Sequence, residues 1–141
     1  MRTGLRIGLL VLAVTELALG AWTVLFPRSF YDDVPTVDLS PPYSEHLFRD
    51  FGGASLGLGI ALAAAWIWFE RRLVVVSLLA YLAFSVPHLV FHAGHLDGMS
   101  DRVAATLVGV LVVAVLLPAA LILVAVRTLR PPLGLQERFV T

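Results

Sequence analysis

The chain of 141 residues contains no cysteine. That excludes disulfides, thiolate metal ligands and cysteine nucleophiles, so any metal must be held by nitrogen and oxygen. Lysine is absent too, and all 10 basic residues are arginine. Charge is scarce: 14% of residues are charged, and 10 acids balance 10 bases to a net charge of zero. No bulk electrostatic pull toward nucleic acid follows from that balance, and no basic patch interleaved with aromatics is present. A phosphate-cradling glycine loop, a G-x-S-x-G elbow, a run of gating charges and the paired half-helices of a transporter are all missing. There is no internal repeat, no low-complexity stretch and no long soluble segment.

What the chain has is apolar surface. Hydrophobic residues make up 59% of it, and the mean hydropathy is +0.90. A soluble domain of this size could not bury so much, so lipid must be the main solvent. Crossing a hydrocarbon core of ~30 Å takes ~20 apolar residues as helix. Four stretches satisfy this: 5–26, ending at Pro27; 44–69; 73–94; and 101–129, ending before Pro131 and Pro132. The expected fold is an all-α integral membrane four-helix bundle in a single domain. The first stretch is longer than a signal-peptide core and lacks a small-residue cleavage site, so it reads as a retained helix. Ser44 and Ser100 are placed to cap helix starts, each followed by an acid (Glu45, Asp101) that suits a helix N-terminus.

Arginine placement predicts orientation. Arg2 and Arg6 precede the first span, Arg71 and Arg72 separate the second from the third, and Arg127, Arg130 and Arg138 lie at or beyond the end of the fourth. The positive-inside rule then puts both termini in the cytoplasm and the cell (inner) membrane around the bundle. The segments from Pro27 to Tyr43 and from His95 to Ser100 face outward as loops. Trp66 and Trp68 suit the inner interface and Trp22 the outer. The tail from Pro131 to Thr141 is expected to lie along the inner interface as a strap.

Ionisable groups inside a bilayer are costly and tend to mark a site. Three of the four histidines, His88, His92 and His95, fall near the exit of the third span. At about 100° per residue they share an arc of about 60°. The fourth, His46, opens the second span with Glu45, Arg49 and Asp50. Counting along the hairpin from Arg71 puts Asp50 level with His92, and His46 level with His95. His46, Arg49, Asp50 and Gly53 form one stripe, and Glu45 sits off it toward the rim. Glu16 lies in mid-span one at about the depth of His88, and it is expected to face the histidines or Arg49. Gly53 and Gly57 make a small-xxx-small pair that would draw span two against a neighbour and carry Asp50 toward span three. Pro87 and Pro118 each remove a backbone hydrogen bond and should kink their helices.

Imidazoles at i and i+4 can reach one ion. The expected metal ligands are His46, Asp50, His88, His92, His95 and Glu45, with Glu16, Arg49 and Asp50 as candidates for catalysis. Such a donor set suits zinc or iron better than copper. Haem is an alternative, with one axial histidine from each of spans two and three. The competing readings are that His95 is a wetted interfacial residue and that Arg49 forms a structural ion pair with Asp50 or with Glu16.

The segments Glu45-His46-Leu47-Phe48-Arg49-Asp50 and Pro87-His88-Leu89-Val90-Phe91-His92 resemble a group of small four-span bacterial membrane proteins of unknown function. The layout is similar to that of DoxX-like membrane proteins, without their motifs. The histidine pattern is also similar to that of membrane fatty-acid hydroxylases and desaturases, which need more histidines than the four present here. Neither resemblance transfers a catalytic residue. The function expected is therefore metal or cofactor binding near the outer leaflet, with redox or hydrolytic chemistry on a lipophilic molecule if the protein is an enzyme. The rivals are a non-enzymatic accessory subunit, whose partners would be other membrane subunits or a second copy of the chain, and a proton or metal-ion conduit. The conduit is disfavoured because spans two and three carry few polar residues toward the cytoplasm.

Overall fold

The computed structural model describes residues 1–39 and 42–129; the expected C-terminal strap lies outside the described residues. Five helices follow one another: α1 (Arg2–Leu25), α2 (Pro27–Asp33), α3 (Glu45–Trp68), α4 (Arg71–Ala93) and α5 (Asp101–Thr128). All but α2 are long and apolar enough to cross a membrane. Their limits agree closely with the four stretches read from hydropathy. The segment after Pro27, expected as loop, instead begins with a short helix. Pro27 ends α1 by withholding an N–H and starts α2 at its first position, where that N–H is not needed. Arg28 to Asp32 and Ser29 to Asp33, each 2.7 Å at i, i+4 spacing, brace the new helix.

Both serine caps form: Ser44 accepts from the Leu47 amide and Ser100 from the Val103 amide. Helices α4 and α5 continue through Pro87 and Pro118. The α3–α4 reversal takes only Phe69 and Glu70. Phe69 turns it in the left-handed region (φ 53°), a conformation costing an L residue about 1–2 kcal/mol. The Arg6 guanidinium lies 4.4 Å over the Phe69 ring and offsets part of that cost.

The long helices form a ring in the order α1, α3, α4, α5, with α5 closing back on α1. The most intimate contact is between α1 and α3. A Cβ on Gly20 would stand 2.8 Å from the Gly52 carbonyl oxygen, and one on Gly52 would stand 2.9 Å from the Val24 amide. Gly59 repeats this closeness against Leu17. The expectation for Gly53 and Gly57 is therefore corrected. Both face open space, and the small-residue face in use is Gly52, Ser55 and Gly59, turned toward α1 rather than α4.

Alternating helix directions give the bundle two unlike ends. One holds Met1, the α3–α4 turn and Thr128, where Arg2 donates to the Thr128 carbonyl at 3.2 Å; this is the arginine end. The other holds α2, the start of α3 and the end of α4, and is the histidine end. The close-packed core lies toward the arginine end: Leu5, Leu9, Leu12 and Ala13 meet Leu62, Ala65, Val74, Leu78, Tyr81, Leu121 and Ala125. On α5 no residue before Pro118 is buried.

Candidate functional site

Helix α4 carries a longer polar stripe than its histidines alone. Ser77, Tyr81 and Ser85 are buried, and His88 and His92 continue the line half-buried. At about 100° per residue these five fall within about 80° of arc. The three hydroxyl residues were missed in the sequence, where the lower part of this span reads as apolar. Their i, i+4, i+8 spacing was the available signal. Ser77 returns its proton to the Ala61 carbonyl at 3.0 Å and so ties α4 to α3.

Opposite this stripe stands Glu16 on α1, only 3% exposed. Ser55 of α3 lies beside its carboxyl. The Tyr81 hydroxyl lies within electrostatic reach of the same group. Glu16 therefore sits level with Tyr81, about 10 Å of helix rise below His88 and not beside it. Nor does it meet Arg49. That guanidinium binds Glu45 at 2.9 Å and donates to the Val24 carbonyl at 2.6 Å, where it caps the last turn of α1. Arg49 thus staples two helix ends together.

Between α3 and α4 lies a cavity of about 190 Å³, lined by Phe51, Ala54, Ser55, Leu58, Ala80 and Phe84. Ala54 and Ala80 are exposed, so the cavity opens on the outside of the bundle. Its upper wall belongs to an aromatic chain. Trp22 meets Phe30 of α2, Phe30 meets Phe51, Phe51 meets Phe84, Phe84 stacks on His88 at 5.3 Å, and His88 meets His92 at 4.6 Å between centroids. The Trp22 indole donates to Ser29 at 3.1 Å, which seats α2 at this end.

Among the described residues, three buried polar side-chain atoms lack a protein partner: Glu16 Oε2, Ser85 Oγ and His92 Nδ1. Two lie on the α4 stripe, and the third faces it. Buried polar atoms are almost always paired, so this concentration is unusual.

The six expected ligands do not gather. His46 pairs with Asp50 at 3.3 Å, and both are largely exposed, the His46 side chain at 89%. Glu45 is held by Arg49. His95 folds back on its own helix, with Nδ1 2.8 Å from the Phe91 carbonyl oxygen and its ring stacked on Phe91 at 4.2 Å. Only His88 and His92 stand together and half-buried. Among the described residues no three His, Asp or Glu side chains are grouped to hold one ion. The physical reason is that α3 spends its glycine face on α1. The stripe bearing His46 and Asp50 is thereby rotated to the outside.

The family model for a domain of unknown function, DUF4345, matches residues 4–125. The chain belongs to this family. The DUF4345 match spans all four long helices, so the polar stripe, Glu16 and the cavity fall within the family's own domain. No curated protein and no solved structure matches the chain.

Proposed function

We propose that this protein is a binding protein of the cell's inner membrane that admits a small lipophilic molecule sideways, from the bilayer, into the seam between α3 and α4. The carrying observation is the 190 Å³ cavity itself, lined by five apolar residues and Ser55; the unpartnered polar atoms of Glu16, Ser85 and His92 belong to residues outside that lining. Apolar walls with a few convergent polar groups are the usual make-up of a ligand site. The arginine end, with Arg2, Arg6, Arg71, Arg72 and Arg127, faces the cytoplasm under the positive-inside rule. The histidine end then faces outward, and the cavity lies between mid-membrane and the outer leaflet.

The test is mass spectrometry of small molecules retained by protein purified in lipid nanodiscs. Wild type should carry a bound lipophilic compound that Ala80→Phe, which fills the cavity mouth, releases. Equal retention by both proteins, or none by either, removes the reading.

A metal-binding reading is kept for one reason: His88 and His92 present two imidazoles at i, i+4 spacing, and His92 Nδ1 has no protein partner. Two imidazoles are half of a tetrahedral shell, so zinc or iron there would draw its other ligands from water or from the bound molecule. Elemental analysis checks this. Near-stoichiometric zinc or iron that is lost in His92→Ala supports it, and metal below about a tenth of an equivalent excludes it.

A further inference from the structure

Glu16 is a carboxyl in mid-membrane, and close helix contacts fix its level. Leu17 packs on Gly59, and Ser77 donates to the Ala61 carbonyl. Through these two contacts Glu16 stands opposite the turn of α4 that runs from Leu78 to Tyr81. Side chains lean toward the N-terminus of their own helix, so the Tyr81 ring leans down toward the level of Glu16. The next turns of α4 bring Ser85, about 6 Å higher, and then His88 and His92.

Glu16 and Ser85 are 3% and 4% exposed, and neither Glu16 Oε2 nor Ser85 Oγ has a protein partner. His92 Nδ1 repeats the pattern at the histidine end. Buried atoms of this kind are satisfied by bound water, which needs polar partners on more than one side. Polar groups on successive turns supply them. Serine, tyrosine and water each donate and accept, so a file of them passes protons.

The same line is shut in the other direction. Ser77 spends its proton on Ala61, and Leu9, Leu12, Leu62, Val74, Leu78 and Leu121 close the space below. Around Glu16 charge is absent. Helix α1 has no other charged residue after Arg6, α3 has none after Asp50, and α5 has none between Arg102 and Arg127. On α4 the one titratable group between Arg72 and His88 is Tyr81. With no fixed cation beside it in the membrane, the carboxyl takes a proton as its counter-ion.

We propose that Glu16 is a proton-binding site, supplied by water from the histidine end along the Ser85 side of α4 and sealed from the arginine end. It exchanges protons with one face of the membrane, the outer one under the positive-inside rule, and carries none across. His88 and His92 border the mouth of the route without having to change charge. The inference does not rest on the lipophilic-ligand reading.

Infrared spectra of the protein in nanodiscs follow the carbonyl stretch of the protonated Glu16 carboxyl. It is identified as the band lost in Glu16→Gln, or shifted in Glu16→Asp if the glutamine variant fails to fold. The band should fade reversibly as pH rises, and at low pH it should shift on transfer to D2O while the protein stays folded. Ser85→Ala should slow that exchange about tenfold, the worth of one hydrogen bond in a barrier. Ser77→Ala, below the site, and Ala80→Phe, at the cavity mouth, should leave it at the wild-type rate. A band that fails to titrate, or fails to exchange before unfolding, overturns the proposal. An unchanged rate in Ser85→Ala, or equal slowing in Ser77→Ala, overturns the route. Slowing in Ala80→Phe puts the entry in the α3–α4 cavity and overturns the route as well.

Discussion

The two ends of the bundle are built on different principles. At the arginine end all four long helices contribute buried apolar side chains to one core, and Arg2 and Arg6 tie α1 to the ends of α5 and α3. At the histidine end α1 and α3 are joined backbone to backbone through Gly20 and Gly52, while α4 faces α3 across a cavity and α5 buries nothing before Pro118. One end holds the fold, and the other leaves space beside unpartnered polar groups. Binding elements are commonly drawn from the less stable part of a structure, because they must open. The division accounts for a polar stripe on α4 that costs the core little: its deepest members, Ser77 and Tyr81, meet the packed end, and its histidines meet the open one.

The sharpest way to break this contrast is to truncate a leucine at each end of the same helix. Leu121 is 6% exposed and packs against Gly8, whereas Leu107 is only partly buried. Lipid is as apolar as the helix interface, so the cost of Leu121→Ala is mainly lost packing and falls at the low end of the usual range, about 2 kcal/mol. Leu107→Ala should cost less than about 0.5 kcal/mol. Unfolding titrations in mixed detergent micelles measure both. Equal losses would mean that the histidine end is packed as tightly as the other.

Glycines sharpen the comparison within the histidine end. Gly20→Ala and Gly52→Ala each place a Cβ within 3 Å of backbone and should cost about 1–3 kcal/mol by forcing α1 and α3 apart. Gly53→Ala and Gly57→Ala meet open space and should be neutral, or should stabilise α3 by up to about 1 kcal/mol through helix propensity. The same titrations report all four. A reversed order would show that α3 turns its other face to α1.

Removing the staple between helix ends should cost less. Arg49→Gln loses the bond to the Val24 carbonyl and the ion pair with Glu45. The ion pair is half-exposed and worth little, so the carbonyl bond carries most of an expected loss of about 1 kcal/mol. Glu45→Gln, which removes only the ion pair, should cost under about 0.5 kcal/mol. A larger loss for Glu45→Gln than for Arg49→Gln would overturn the capping role.

The spans were legible because hydropathy and helix length are local properties of the chain. The caps at Ser44 and Ser100 were legible for the same reason. Rotation of each helix about its axis was not. Gly52 and Gly53 are neighbours in sequence, and choosing between them decides whether His46 and Asp50 face α4 or the outside. That choice is made by backbone contact with α1, which no pattern within α3 records. Depth was misjudged for a related cause: counting residues put Glu16 beside His88, whereas its partners Ser55 and Tyr81 lie about two turns lower. His88 and His92 were found because an i, i+4 pair on one helix needs no knowledge of its neighbours.

The smallest expected effect bears most directly on the site. His46 and Asp50 are 89% and 63% exposed and bind only each other at 3.3 Å. An exposed pair at this spacing contributes at most a few tenths of a kcal/mol. His46→Ala and Asp50→Ala should therefore leave unfolding unchanged within about 0.5 kcal/mol. They should also leave ligand retention and any metal content at wild-type levels, while His92→Ala lowers the metal content. Should His46→Ala instead empty a metal site as His92→Ala does, α3 would have to rotate in the membrane so that both helices supply one centre, and the glycine contact with α1 would have to give way to allow it.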